Sequence, residues 1–216
     1  MLTDKTTGKL TRRQKEYLNE IYRGNERMIT LVGSLLNVSR IDLGTFAVNP
    51  KPEDLTKIAE SALIDLQPQI KNKKITLKKV YDPHLSQISI DAKLLRIVFQ
   101  NLLSNSVKYA GNNGKIILAI SKQKNEVLIK VADNGIGIPK EAQSKIFAKL
   151  FRADNAKTTD PSGTGLGLYI VKAIIDASGG KIWFESEENK GTTFYITLPL
   201  KGTARKSGTV GLELTV

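Results

Sequence analysis

The sequence predicts an α+β protein, a two-layer α/β sandwich that is preceded by a long helical stalk. An amphipathic helical pattern runs from Thr11 to about Arg40. After residue 54, helical and strand patterns are mixed, and two pairs of strands are each separated by a short turn. Such pairs form antiparallel hairpins, so we expect a largely antiparallel sheet with helices packed on one face.

The stalk, residues 1–46, contains a helix that is predicted to begin at Thr11, because Thr11 and Gln14 have the spacing of a capping box. Apolar residues recur along this helix at alternating spacings of three and four, which predicts a continuous apolar stripe. A lone helix cannot bury such a stripe, so we expect partner helices from a second chain or another segment, with a homodimer formed through this helix. A membrane-surface helix is a weaker alternative, because the polar face is mixed in charge.

The remaining chain divides into a linker, a compact domain and a tail. Pro50 and Pro52 predict a stiff, extended linker at 47–53. The domain is predicted to span 54–200, and 201–216 is predicted to be a flexible tail. Helices are predicted at 54–70, 91–110, 139–147 and 166–178, and strands at 74–80, 115–123, 126–132, 181–187 and 192–199.

Composition narrows the range of functions. The chain has no Cys and a single His, which excludes thiol catalysis and argues against a zinc site. The net charge of +12 is spread along the chain without interleaved aromatic residues, so no nucleic-acid partner is expected. No apolar run is long enough to span a bilayer and no signal peptide is evident, so the expected location is the cytoplasm.

A polar stripe interrupts the otherwise apolar helix predicted at 91–110. Asn101, Asn105, Lys108 and Tyr109 fall within an arc of about 100° on one face near its C-terminal end. Such a stripe either satisfies buried polar groups or presents ligands to a polar molecule.

Two glycine-containing segments follow this helix. Asp133 ends a predicted strand and is followed by Gly135 and Gly137, which permit close approach of the backbone to a ligand. Later, 163–167 alternates Gly with other residues and leads into a helix, whose free N–H groups favour phosphate. Neither segment fits a Walker loop or a dinucleotide-binding fingerprint.

The ordered set of these segments, with Phe147, Phe151 and Arg152 between the two glycine stretches, resembles the ATP-binding catalytic domain of sensor histidine kinases, which act in two-component signal transduction. The resemblance covers 54–200 and implies a fold of the histidine-kinase and topoisomerase ATPase type. The end of the first helix, 35–42, resembles the second helix of that family's dimerisation domain, so the stalk would be a remnant of it.

The resemblance implies ATP and Mg²⁺ as ligands. Asn105 would coordinate Mg²⁺ with support from Asn101, Lys108 would contact phosphate oxygens, Tyr109 would lie against the nucleotide, and Asp133 would accept the adenine amino group. Residues 149–162 would form a mobile lid over the nucleotide. The full predicted nucleotide-binding set is Asn101, Asn105, Lys108, Tyr109, Asp133, Gly135, Gly137, Ile138, Phe147, Phe151, Arg152, Gly163, Thr164, Gly165, Leu166 and Gly167.

The phosphoacceptor of such a kinase is a histidine followed by an acidic residue, and this chain contains no such pair. His84 lies in a turn-like segment, so we predict no catalytic residue within the chain and no autophosphorylation by itself. The expected partners are a histidine-bearing helix of the same family and, downstream in the phosphorelay, a response regulator. Full-length relatives are often membrane-anchored.

Two alternatives remain open. The first is an ATPase, because topoisomerase relatives use similar motifs. In those enzymes a Glu lies four residues before the metal-binding Asn, whereas Asn101 occupies that position here and cannot act as a base, which predicts slow hydrolysis. The second is a nucleotide-dependent interaction module without kinase activity.

Overall fold

The computed structural model describes residues 10–214. Its first helix, α1 (Arg12–Asp42), begins directly after Thr11, as the sequence predicts. The Thr11 hydroxyl accepts a hydrogen bond from the Gln14 backbone N–H, and the Gln14 side chain accepts one from the Thr11 backbone N–H. This reciprocal capping box satisfies two N–H groups and fixes the helix start. Across the described range, no helix combines the length and hydrophobicity that a membrane span requires.

The later elements follow the predicted order. The helices are α2 (Leu55–Asn72), α3 (Ala92–Tyr109), α4 (Lys140–Gln143), α5 (Asp154–Thr159) and α6 (Gly167–Ala177). The strands are β1 (Lys51–Glu53), β2 (Thr76–Tyr81), β3 (Ile88–Ile90), β4 (Lys115–Gln123), β5 (Glu126–Asp133), β6 (Lys181–Glu187) and β7 (Gly191–Pro199). The sequence analysis did not predict β1, β3 or α5, and α4 is shorter than predicted. All four are short, so their periodic patterns are weak.

Five strands form one sheet in the order β2-β4-β5-β7-β6. The pairs β4–β5, β5–β7 and β6–β7 are antiparallel, whereas β2 and β4 are parallel. The prediction of a largely antiparallel sheet is therefore confirmed. The parallel pair exists because α3 lies between β2 and β4 in the chain and carries it back across the sheet. Strands β1 and β3 form a separate antiparallel pair.

The core lies between one face of this sheet and the helices. Helix α3 contacts α2 and α6, and alternate residues of β4 and β5 are buried. Phe99 and Leu103 of α3 and Leu118 of β4 are completely buried. This alternation is expected of an antiparallel sheet with one covered face. It holds the C-terminal end of α3 beside β5, which brings the polar stripe close to Asp133.

The described part of the tail, 201–214, is packed against the preceding chain, whereas the sequence predicts a flexible tail at 201–216. In its described part, the backbones of Lys206 and Val48 exchange hydrogen bonds of 3.0 and 3.1 Å. Val210 forms an isolated bridge with Phe46, and Leu212 is buried against the core. The alternation of apolar residues in this segment is the pattern of a half-buried extended chain, so the segment covers the apolar surface of the preceding linker.

A buried polar contact joins the same tail to α1. The Asn37 side chain is completely buried, and its Nδ2 donates to the Glu213 carbonyl oxygen at 2.7 Å. Its Oδ1 accepts from the Glu213 backbone N–H at 2.9 Å. Arg40 adds an ion pair of 3.0 Å to the Glu213 carboxylate. Asn37 thus pairs with both backbone groups of a residue far away in the sequence.

We expect Asn37→Ala to lower the free energy of unfolding by about 1–3 kcal/mol, because it removes two hydrogen bonds of a buried side chain, each worth about 0.5–1.5 kcal/mol. Asn19→Ala, at an exposed position on the same helix, is the control and should change the free energy by less than about 0.5 kcal/mol. Urea denaturation measures both values. Equal effects of the two substitutions would show that the tail contact contributes nothing.

Candidate functional site

A cavity of about 570 Å³ lies between α3, the end of β5, the start of α6 and the lid, 149–162, and α1 forms a further wall. Its volume is within the range of roughly 300–1,000 Å³ that small-molecule sites have. The polar stripe of α3 and both glycine-containing segments line it. The structure therefore brings together three segments that the sequence analysis singled out separately.

Most of the predicted site residues line this cavity. They are Asn101, Asn105, Lys108, Tyr109, Asp133, Gly137, Ile138, Phe151, Arg152, Gly163, Thr164, Gly165 and Gly167. Gly135, Phe147 and Leu166 do not line it but shape its walls. A Cβ at Gly135 would lie 2.3 Å from the Tyr109 carbonyl oxygen, so glycine is needed there. Phe147 packs edge-to-face on Phe184, with ring centres 6.0 Å apart, and Leu166 is a core residue.

Asp133 is a partly buried carboxylate at the end of β5, and three donors fix its orientation. Its Oδ1 accepts from the backbone N–H groups of Gly135 at 3.0 Å and Thr192 at 3.3 Å. Its Oδ2 accepts from the Ser106 hydroxyl at 3.1 Å. Burial raises the pKa of Asp133, and these three hydrogen bonds oppose the increase. The group is therefore a preorganised hydrogen-bond acceptor facing the cavity.

The two asparagines of α3 have different surroundings. The Asn101 Nδ2 donates to the Ile97 carbonyl oxygen at 2.9 Å. A Cβ at Gly167 would lie 2.4 Å from Asn101 Oδ1, so this glycine allows the start of α6 to approach α3. Asn105 follows one turn later and lines the cavity. Asn101 thus packs against the start of α6, while Asn105 lies one turn nearer the C-terminal end of α3.

Arg152 organises the lid. Its guanidinium donates to four lid or lid-flanking carbonyl oxygens, those of Ala156, Asp160, Pro161 and Gly163. The sequence analysis predicts Arg152 as a nucleotide contact, whereas the structure shows a side chain that lines the cavity and holds the lid backbone. Burial raises the pKa of Tyr109, and the nearby Arg152 charge opposes the increase.

An ion pair links the lid to α3. Lys108 Nζ lies 3.4 Å from Asp160 Oδ2. Burial opposes ionisation of Asp160, but hydrogen bonds from Ser162 and the Lys108 charge lower its pKa. The one lysine of the polar stripe therefore contacts a lid carboxylate directly.

Sequence reasoning missed several lining residues. They include Ser104, Ile136, Ile146, Asn155 and Thr192 of the domain, and Glu26, Arg27, Thr30 and Ser34 of α1. Asn155 Nδ2 donates to the Gly137 carbonyl oxygen at 3.0 Å, which holds α5 against the loop after Asp133. The α1 residues carry little signal in the sequence, because Thr30 and Ser34, one turn apart, lie on the helix face opposite the apolar stripe.

The fold and the cavity together define a nucleotide-binding α/β sandwich. Residues 90–202 match the family described as histidine kinase-, DNA gyrase B- and HSP90-like ATPase. The chain belongs to this family, and it contains the ATP-binding domain that histidine kinases share.

Two relatives with similar sequences are named as histidine kinases. The chain is 33% identical over 89% of its length to the circadian input-output histidine kinase CikA of Synechococcus elongatus. It is 36% identical over 82% of its length to the sensor histidine kinase WalK of Bacillus subtilis. These matches cover 26% of CikA and 29% of WalK, so the chain spans less than a third of either relative.

Solved structures show the same architecture. Full-length ShkA in complex with AMPPNP superposes with a TM-score of 0.76 at 26% identity, covering 92% of this chain and 41% of ShkA. The histidine kinase ThkA in complex with the response regulator protein TrrA gives a TM-score of 0.70 at 26% identity, covering 91% of this chain and 54% of ThkA. Both matches extend beyond the ATP-binding domain into the region of α1.

Proposed function

We propose that this chain binds Mg-ATP in the described cavity and transfers the γ-phosphoryl group to a histidine supplied by another segment or chain. The observation that carries the proposal is the convergence of the α3 polar stripe and both glycine-containing segments on one cavity. The division into stalk (1–46), linker (47–53) and ATP-binding domain (54–200) is part of the proposal.

Asp133 supports recognition of the adenine base. Its Oδ1 already accepts two backbone N–H groups, while its Oδ2 accepts a single hydroxyl. A carboxylate oxygen has room for a second donor, and the adenine amino group is such a donor. Because the network is fixed before the base arrives, little side-chain entropy is lost on binding.

A second group of lining residues suits a triphosphate. The N-terminal end of α6 follows Gly163 and Gly165, and its N–H groups and dipole favour anions. Asn105 and Lys108 line the same cavity. Mg²⁺ prefers oxygen ligands, retains waters and is commonly shared with substrate phosphates, so the Asn105 amide oxygen fits a role as its protein ligand. When bound, the metal would neutralise charge on the phosphates.

Lys108 would exchange partners when a nucleotide binds. It now lies beside Asp160, at 3.4 Å. A polyphosphate carries more negative charge than one carboxylate, so it competes effectively for the lysine ammonium. Release of Asp160 would then loosen one of the contacts that hold the lid in its present position.

The acceptor histidine comes from elsewhere in this proposal. His84, the chain's single histidine, lies at an exposed position between β2 and β3, and the cavity-lining side chains of residues 10–214 do not include it. The complex of ThkA with TrrA supports a response regulator as the downstream partner. The use of ATP supports a cytoplasmic location for the reaction.

Helix α1 supports the proposed homodimer. Large apolar side chains along it remain exposed, namely Tyr17, Ile21, Tyr22, Met28, Ile29, Leu31, Val32, Leu35 and Leu36. A row of this length is typical of helices that pack against partner helices.

The test is phosphotransfer to a fragment that carries an acceptor-histidine helix of a related sensor kinase. With labelled Mg-ATP, we expect acid-labile label on the fragment when both are mixed, and none on the chain alone. His84→Ala should phosphorylate the fragment at the wild-type rate. Stable acid-labile label on His84 of the chain alone would contradict the proposal, as would the absence of Mg-ATP binding by calorimetry.

A further inference from the structure

One carboxylate at the end of α1 contacts the first residue of the lid and a residue of α6, the helix that follows the lid. Asp42 is the last residue of α1. Its Oδ2 lies 2.5 Å from the Nζ of Lys149, where the lid begins. Its Oδ1 accepts a hydrogen bond of 2.6 Å from the hydroxyl of Tyr169, in the first turn of α6 after the lid. One side chain therefore fastens the first residue of the lid to the helix that follows the lid.

The three side chains form a closed set of contacts. Lys149 Nζ also lies over the Tyr169 ring, 5.0 Å from its centre. The hydrogen bond from Lys149, followed by that from Tyr169, lowers the pKa of Asp42, and the Asp42 hydrogen bond raises the pKa of Lys149. Asp42 and Lys149 thus stabilise each other's charged forms, and the Tyr169 hydroxyl donates a hydrogen bond to Asp42.

This cluster lies at the surface. The Asp42 and Lys149 side chains are 39% and 43% exposed. Exposed ion pairs are weak and exchange readily with water, so the cluster can open without unfolding of the core. A fully buried ion pair would instead oppose lid opening strongly, because separating its two charges would leave each of them uncompensated.

The end of α1, which carries Asp42, is attached to the tail. Arg40, two residues before Asp42, donates to the Gly211 carbonyl oxygen at 2.8 Å and pairs with Glu213. Asn37, one turn earlier, is buried against the same tail segment. The end of α1 is therefore attached to the tail by several contacts, whereas the lid contacts it through the Asp42 side chain.

We propose that Asp42 is a positioning residue that couples the position of α1 to the lid, and so controls how fast nucleotide leaves the cavity. The proposal rests on the proposed function only in that the lid covers the nucleotide. A displacement of α1 would break the contacts of Asp42 with Lys149 and Tyr169 together, which releases the start of the lid from α1. Signals that reach α1 would then reach the lid without passing through the sheet.

The test compares three variants with the wild-type chain. Asp42→Asn removes the charge with little change of shape, and Tyr169→Phe removes one hydroxyl only. Asp176→Asn is the matched control, because Asp176 forms an exposed pair with Lys172 on α6 at 2.7 Å and does not contact the lid. Amide hydrogen exchange of 150–162 without nucleotide reports lid opening, and displacement of a fluorescent ATP analogue reports its dissociation rate.

We expect Asp42→Asn to accelerate both rates by about two- to fivefold, in line with the loss of an exposed charged contact. Tyr169→Phe should have a smaller effect, and Asp176→Asn should change neither rate by more than about twofold. Unchanged lid exchange in Asp42→Asn, or equal acceleration in the control, would overturn the proposal. If the analogue fails to bind the wild type while Asp42→Asn still accelerates lid exchange, the proposed function fails and the coupling of Asp42 to the lid stands.

Discussion

Replacing Asp133 with asparagine is expected to weaken Mg-ATP binding by about 10- to 150-fold, the effect of losing one charge-assisted hydrogen bond. The existing network decides how the new amide is oriented. The Gly135 and Thr192 N–H groups require an acceptor at the Oδ1 position, so the amide oxygen lies there. The amide NH₂ then replaces Oδ2 and opposes the adenine amino group with a second donor.

This orientation predicts a change in base preference as well as a loss of affinity. Inosine triphosphate has a carbonyl oxygen where ATP has the amino group, so it can accept from the new NH₂. Calorimetric titration of both nucleotides should therefore show that the wild-type preference for ATP shrinks or reverses in Asp133→Asn. A nonspecific loss of folding would weaken both nucleotides equally.

Asp82→Asn is the matched control for this substitution. Asp82 likewise accepts two backbone N–H groups, those of His84 at 2.9 Å and Lys122 at 3.2 Å, but it does not line the cavity. We expect the affinity of Asp82→Asn for Mg-ATP to stay within about twofold of that of the wild type, because the substitution lies away from the cavity. Equal losses in both variants would contradict a direct role of Asp133 in base recognition.

The sequence predicts local features of this site well, because they depend on neighbours in the chain. The polar stripe of α3 can be recognised from the period of 3.6 residues per turn of a helix alone. Asp133 can be recognised because it stands at the end of a predicted strand. The Gly-containing segments are visible because few other residues permit such close backbone approaches. These features sufficed to bring most of the predicted residues into the cavity lining.

The parts that the sequence does not reveal depend on contacts between distant segments. The packing of the tail requires Glu213 to meet Asn37, 176 positions away, and no local pattern encodes that pairing. The role of Arg152 depends on the path of the lid backbone, which its type alone does not define. The wall formed by α1 depends on how that helix lies against the domain, and the apolar stripe predicts only that it has a partner.

Gly137→Ala is the substitution expected to affect stability most. Gly137 has φ of +63°, which costs a non-glycine residue about 1–2 kcal/mol. An added Cβ would also lie 2.0 Å from the backbone carbonyl oxygen of Glu187, and a backbone neighbour in a sheet cannot move away easily. Overpacking of this kind costs about 1–3 kcal/mol, so we expect a total loss of about 2–5 kcal/mol in the free energy of unfolding.

Gly111→Ala separates the two contributions, because Gly111 has φ of +73° but no atom within 4 Å of an added Cβ. Gly111→Ala should lower the free energy of unfolding only by the conformational contribution, about 1–2 kcal/mol, and should leave the affinity for Mg-ATP unchanged. In Gly137→Ala the carbonyl that accepts from Asn155 must shift, so the lid loses its contact with the loop after Asp133 and nucleotide affinity falls as well. Chemical denaturation and calorimetry of both variants measure the two effects. Equal losses of stability would contradict the prediction, because they would mean that the loop after Asp133 can relax away from Glu187. The close approach of Gly137 to Glu187 would then not define the cavity wall.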